Sequence, residues 1–265
     1  MALQEALTTR EGATFTALVV GSALKYLWMS KVRAARGKLF QLVGHVAELC
    51  VYPMKGCRAV QLQSAKATIT GLTSGGFHDR WWMMEYMAGT PVTMKTEPRL
   101  TLVTFTIDGD WLVVSAPDMT PLRLPVHPDP ASYPIKSLKI YGIEMNVLEC
   151  GPEANDWFSR YIGQTVLVYH SRPGIGTHDT YEHPLGWDTD ARKGDRTVFA
   201  YLTAYLLTTT ASLSELNHRL DSPVSSRHFR PNIVVQNSLP FDEDNWEEIR
   251  IGNNAKFHYV QPCRR

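Results

Sequence analysis

Three basic residues stand in this chain where a fold has little need of them. Lys55 follows the step Tyr52-Pro53, whose proline fixes φ and holds the residue before it extended, so the lysine is expected at a strand end or turn. Arg80 follows the flexible turn Ser74-Gly75-Gly76 and precedes Trp81-Trp82, an apolar pair expected to be buried. A cation beside a buried aromatic pair calls for an anion. Arg230 is held before Pro231, and Asn232, whose amide has one acceptor and two donors, stands at the mouth of the run Ile233-Val234-Val235. An arginine fixed in this way can meet a phosphate or carboxylate through two parallel hydrogen bonds. Each residue alone would pass for a solvated side chain or an ordinary turn; from separate stretches, they suggest convergence on one buried anion.

The elements that must position them read as a mainly antiparallel β protein of the α+β class. Val43–Tyr52 and Ala59–Ile69 are β-rich, and Arg99–Ala116 reads as a hairpin turning at Asp108-Gly109. Leu122–Val126, Leu138–Leu148 and Thr165–His170 add strands. Pro152 opens a helix that carries Trp157, Phe158, Tyr161 and Ile162 on one face and stops at Gly163. Val198–Leu207 reads as an apolar strand, capped by Thr208-Thr209-Thr210 into an amphipathic helix with Leu213, Leu216 and Leu220 inward. Trp246–Ile251 and Lys256–Val260 are the last strands. The polar loop from Ser171 to Thr197 suggests a domain boundary. Its His178, Asp179, Glu182 and His183 have metal-ligating chemistry but no rigid element to hold them, so a polar loop is the simpler reading.

Composition narrows the function class. A chain of 265 residues can bury a sizeable core, and a formal net charge of +1 excludes a global attraction to nucleic acid. Cys50, Cys57, Cys150 and Cys263 have no C-x-x-C spacing and imply a reducing compartment rather than a disulfide framework. Ala13–Met29 is long enough for one bilayer crossing at the short end and is followed by Lys31, Arg33, Arg36 and Lys38. Positive charge on that flank predicts a signal anchor with the globular part facing the cytosol. The terminal Cys263-Arg264-Arg265 is unusual for a domain end, which ordinarily trails off.

The succession YPMKGC, SGG-x-x-DRWW, TTTASLSELN, FRPNIV, W-x-x-I-x-I-G and Cys-Arg-Arg resembles the MOSC superfamily of molybdenum-cofactor proteins, over about Gln41 to Arg265. Within it the layout is similar to the amidoxime-reducing members of the outer mitochondrial membrane. The resemblance implies an anchor and basic flank over 1–40, a β-rich MOSC_N region over 41–172 and a MOSC β-barrel, incomplete at its end, over 173–265. It implies a molybdenum–molybdopterin cofactor, with Lys55, Gly56 and Arg80 contacting it from the N-terminal side, and Thr203, Arg230, Asn232, Arg264 and Arg265 from the other. Pyridoxal phosphate binding is a further association at family level. The implied activity is reduction of N-hydroxylated compounds such as amidoximes by a monomer. Electrons would come from NADH through a flavin reductase and a small haem protein of the cytochrome b type. In the family, the second cysteine of a Cys-x-x-Cys motif binds molybdenum; Cys263 aligns with the first, and the second falls just after Arg265. The chain as written is therefore expected to lack the metal ligand, with Cys263 unsuited to replace it. A non-catalytic product with weak or no cofactor binding, a sulfur- or cofactor-transfer protein, and a β-barrel module for a small apolar ligand are the alternatives.

Overall fold

The computed structural model describes residues 40–182 and 190–263. The expected anchor, His183, Arg264 and Arg265 lie outside them. The chain divides into two compact units, Met1–Leu42 and Val43–Arg265, and the fold described below is that of the second. Among the described residues no helix is long and apolar enough to cross a membrane.

The first stretch supplies β1 (His45–Val51), β2 (Val60–Leu62), β3 (Lys66–Thr68), β4 (Gly71–Ser74), β5 (Phe77–His78) and β6 (Trp82–Tyr86). Then come β7 (Thr104–Asp108), β8 (Trp111–Ser115), β9 (Leu122–Pro125), β10 (Ile135–Ile140), β11 (Ile143–Glu149), α1 (Pro152–Ile162) and β12 (Val166–His170). The remainder holds β13 (His178–Asp179), β14 (Arg196–Thr197), β15 (Leu207–Thr209), α2 (Thr210–Asn217), β16 (Ile233–Gln236), β17 (Glu248–Ile251) and β18 (Ala255–His258). They form sheets in the orders β15-β16-β1-β2, β10-β11-β12-β6, β3-β4-β5 and β7-β8-β9, with ribbons β13-β14 and β17-β18. The pairing of β15 with β16 is parallel, the other strand pairings antiparallel. The expected α+β class is present, but among the described residues no sheet closes into a barrel. A register shift between Val46 and Glu48 bends β1 against β16.

Two crossings matter for the site. β1 pairs antiparallel with β16, which brings the residues just after Val51 to those just before Ile233. Beyond β1 the chain runs beside the start of β6: Lys55 N–H donates to Trp82 O at 2.8 Å, and Trp82 N–H to Pro53 O at 3.2 Å. Beneath β6 and β12, α1 turns Ala154, Trp157, Phe158, Tyr161 and Ile162 into the main core, where Met83, Met84, Val166 and Val168 are also buried. Gly163 ends α1 in the left-handed region, φ +80°, as its spacing predicts. A smaller core joins Leu72, Ile233, Val235 and Trp246.

Four expectations are corrected. Leu138–Leu148 is not one strand but parts of two, β10 and β11, because Tyr141 and Gly142 both take positive φ and turn the chain back. The β7–β8 turn lies one residue later than Asp108-Gly109: Asp108 pairs with Trp111, leaving Gly109 and Asp110 at the tip. Residues 198–206 form no strand, although Val198, Phe199 and Leu202 are buried. Distant groups take its backbone instead: Lys55 donates to Phe199 O, Thr180 to Leu202 O, and the backbone N–H groups of Asn232 and Ile233 to Leu206 O. Finally, α2 ends at Asn217, so Leu213 and Leu216 are half-buried whereas Leu220 is exposed.

The loop after β12 is pinned at its start. Ser171 Oγ donates to Asn146 O at 3.0 Å and to Gly176 O at 2.8 Å, and a Cβ on Gly176 would sit 2.1 Å from Asn146 O. That nearest neighbour is a backbone carbonyl, which cannot swing aside as a side chain could. Gly176→Ala should therefore destabilise the fold by roughly 1–3 kcal/mol, read as a lower urea midpoint with an unchanged slope.

Candidate functional site

A carboxylate that the sequence reading passed over organises the site. Asp79 is 2% exposed, and its Oδ1 accepts from Tyr52 N–H at 2.9 Å and from Asn232 Nδ2 at 2.9 Å. Its Oδ2 forms a close ion pair with Arg80 Nη1. Gly71 leaves room for it: at φ +132°, a Cβ there would lie 2.8 Å from Asp79 Cβ. Asn232 completes the frame, accepting on Oδ1 from Leu206 N–H at 3.2 Å and Arg80 Nη1 at 3.4 Å while Nδ2 also donates to Cys50 O at 3.2 Å. Its amide is thus engaged on both donors and on its acceptor, so it acts by holding Arg80 and Asp79.

Tyr52, read in the sequence only as a residue before proline, carries both arginines. Its buried ring lies 4.2 Å from Arg230 Cζ and 4.8 Å from Arg80 Cζ, ring centroid to carbon, and its hydroxyl donates to Pro231 O at 3.2 Å. Burial pushes the phenol up to about 12 against the pull of Arg230 and Arg80, so it stays a neutral cation–π partner. Both arginines are backbone exceptions, with φ +52° at Arg80 and +60° at Arg230. Arg230 is therefore not in the extended form that Pro231 predicts. Left-handed backbone on a side-chain-bearing residue costs about 1–3 kcal/mol and persists only where the surroundings impose it. Here Arg80 N–H donates to Tyr52 O at 2.6 Å and Arg80 O accepts from Phe199 N–H at 3.3 Å, while Arg230 N–H bonds back to Ser226 O.

Lys55 enters from the other side of the Phe199 peptide. Its Nζ donates to Phe199 O at 2.6 Å and lies 4.8 Å from the Tyr141 ring centroid, which itself meets Tyr201 edge-on. Lys55 is 9% exposed and Arg230 6%, so both cations sit in low-dielectric surroundings. Gly56, at φ +88° with a would-be Cβ 3.0 Å from Leu100 Cδ1, shapes the turn behind Lys55. Thr203 is half-buried and its hydroxyl donates to Tyr205 O at 2.9 Å, within its own loop.

The donor set fits an anionic cofactor: two guanidinium groups share the Tyr52 ring, and the Lys55 ammonium is tied to Arg80 through Phe199, whose carbonyl it meets and whose N–H donates to Arg80 O. A metal centre is another matter. The Cys57 thiol is raised to about 12 and Cys50 is raised, both chiefly by burial, which is the wrong direction for a metal-binding thiolate. Cys150 is likewise raised and Cys263 is exposed. No group of three or more ligating side chains among the described residues could hold a metal ion, and His178 with Asp179 is no exception.

Asp79→Asn tests the frame. It leaves Arg80 buried without its carboxylate and should destabilise the protein by roughly 3–5 kcal/mol in urea unfolding. The double variant Asp79→Asn/Arg80→Gln should recover part of that loss. Additive losses would mean that the pair is not coupled.

Comparison with known proteins gives the family. The family model for the MOSC N-terminal beta barrel domain matches residues 43–165, and that for the MOSC domain residues 194–265. Human mitochondrial amidoxime-reducing component 1 is 32% identical over 251 residues, which is 94% of this chain and 72% of that protein. Human mitochondrial amidoxime reducing component 2 is 33% identical over 232 residues, 87% of this chain and 67% of that one. The component 1 protein of Danio rerio is 30% identical over 244 residues, 91% and 71% of the two chains. Two matched domain models in order, with relatives of this identity along nearly the whole chain, show that it belongs to the MOSC family, alongside the mitochondrial amidoxime-reducing components.

Proposed function

We propose that this chain supplies the anion cradle for a molybdenum–molybdopterin cofactor and serves reduction of N-hydroxylated compounds such as amidoximes; none of the described residues is assigned as the metal ligand. The observation that carries the reading is the meeting of Arg80, from the first matched region, with Arg230, from the second, on the Tyr52 ring, with Lys55 linked to Arg80 through the backbone of Phe199. When bound, the cofactor supplies the two-electron chemistry. Arg80, Arg230 and Lys55 hold its anionic oxygens, and their burial strengthens each contact while keeping competing water away. Asp79 and Asn232 keep Arg80 from following the ligand's thermal motion, and the Tyr52 ring keeps the two guanidinium groups against one plane. Thr203, Arg264 and Arg265 are further contacts in this reading.

The electron path is part of the same proposal: NADH, a flavin reductase and a small haem protein of the cytochrome b type deliver electrons to a monomer. The outer mitochondrial membrane, reached through the segment 1–40, would place the site toward the cytosol. The names of the relatives support the mitochondrial setting and the substrate class.

Arg230→Ala tests the assignment. Losing one charge-assisted contact of about 1.5–3 kcal/mol should weaken cofactor retention about tenfold to a hundredfold. Molybdenum by metal analysis and pterin by fluorescence should fall together, with circular dichroism unchanged, and Arg230→Lys should lose less. A folded Arg230→Ala protein with its full complement of both would show that the cations serve something else.

A further inference from the structure

Outside the cation site, three histidines gather on one indole. His78 stacks on Trp81 with centroids 3.5 Å apart and planes 8° from parallel. His127 meets His78 and Trp81 edge-on at 5.4 and 5.7 Å. His170 meets Trp81 and Trp82 edge-on at 5.8 and 4.8 Å. They come from β5, from the segment after β9 and from the end of β12, with Arg172 two residues beyond His170. Stacking of His78 on Trp81 follows from the turn at Asp79-Arg80. In a continuous strand, residues three apart face opposite sides, whereas a tight turn sets its first and fourth residues side by side.

The polar atoms of this cluster are incompletely satisfied. His170 is 0% exposed and neither ring nitrogen makes a hydrogen bond among the described residues; the same holds for the buried Nε of Arg172. An edge-on indole can engage one imidazole N–H, but not both nitrogens and a guanidinium N–H as well. Each such atom costs about 1–3 kcal/mol unless an acceptor or donor reaches it. His127 is exposed, while His78 and Arg172 are half-buried, so the cluster reaches from solvent to a buried floor. Imidazoles alone would suggest a metal, but no metal-holding group is present among the described residues and the guanidinium repels a cation.

We infer that His78, His127, His170 and Arg172 around Trp81 form a site for a small oxyanion, a carboxylate or a tetrahedral ion, apart from the cofactor cradle. Arg172 supplies the fixed charge and the imidazoles supply N–H donors beside it. Binding takes up a proton. Burial, then His127 and Arg172, lower His78 to about 4, and burial with Arg172, His127 and His78 lowers His170 to about 3. These imidazoles are therefore neutral at pH 7. A bound anion opposes the push of His127 and Arg172 and so favours the protonated form of these imidazoles, and affinity rises as pH falls.

The test titrates the full chain with sulfate, an anion of constant charge over the range used, exchanged for chloride at fixed ionic strength. Histidine ring resonances are followed by NMR. The expected result is a saturable shift of the His78 and His127 signals, with higher affinity at pH 5.5 than at pH 7.5, by at most about tenfold per pH unit for one proton taken up. Arg172→Gln should abolish the shift, and His127→Gln, at an exposed position that tolerates change, should weaken it; Arg230→Gln should leave it intact. An acetate arm separates the two ligand classes: competition with sulfate would extend the site to carboxylates, and silence would confine it to tetrahedral ions. A shift that survives Arg172→Gln, or one removed by Arg230→Gln, would overturn the inference. So would absence of any saturable shift in the folded protein at pH 5.5.

Discussion

The site depends on one buried carboxylate. Asp79 binds the backbone of Tyr52, the amide of Asn232 and the guanidinium of Arg80, and so ties the end of β1, the turn before β6 and the approach to β16 together. An isolated carboxylate in such surroundings would be strongly disfavoured, and so would an isolated Arg80. Each makes the other tolerable, and the pair becomes a rigid joint. The strained backbone of Arg80 persists because its N–H and C=O are held from opposite directions, by Tyr52 and by Phe199.

From that joint the convergence of charge follows. Tyr52 is fixed through its N–H on Asp79 and its hydroxyl on Pro231, which leaves its ring as a surface against which Arg80 and Arg230 lie. Like charges held near one aromatic ring repel, and the Asp79 carboxylate on Arg80 offsets part of that repulsion. Phe199 adds the link to Lys55: its carbonyl takes the ammonium and its N–H bonds Arg80 O. The segment 198–206 thus forgoes strand pairing and gives its backbone groups to Lys55, Arg80 and Thr180.

How far the sequence revealed this differs from residue to residue. Lys55 and Arg230 stand out because Pro53 and Pro231 punctuate the chain beside them, and α1 is legible because its apolar spacing, opening proline and closing glycine agree. Asp79 is not legible: nothing local says that a carboxylate beside Arg80 will also reach Asn232, 153 positions along. Tyr141-Gly142 was passed over as a hairpin turn because the apolar residues on either side read on as one strand. Residues 198–206 mislead for the opposite reason. Their hydrophobicity reports burial correctly, but burial alone does not choose a strand when the partners for the backbone are side chains and loops elsewhere.

The turn at Asp79-Arg80 also bears on both halves of the site's surroundings. Its two tip residues enter the cation frame, and its two flanking residues, His78 and Trp81, stack in the histidine cluster. A shift of the turn that loosened Arg80 would also slide His78 off the indole, since both depend on the same four-residue geometry. The coupling needs no chain of intermediates between the clusters: one turn, with Arg80 at positive φ, has its tip in one and its base in the other.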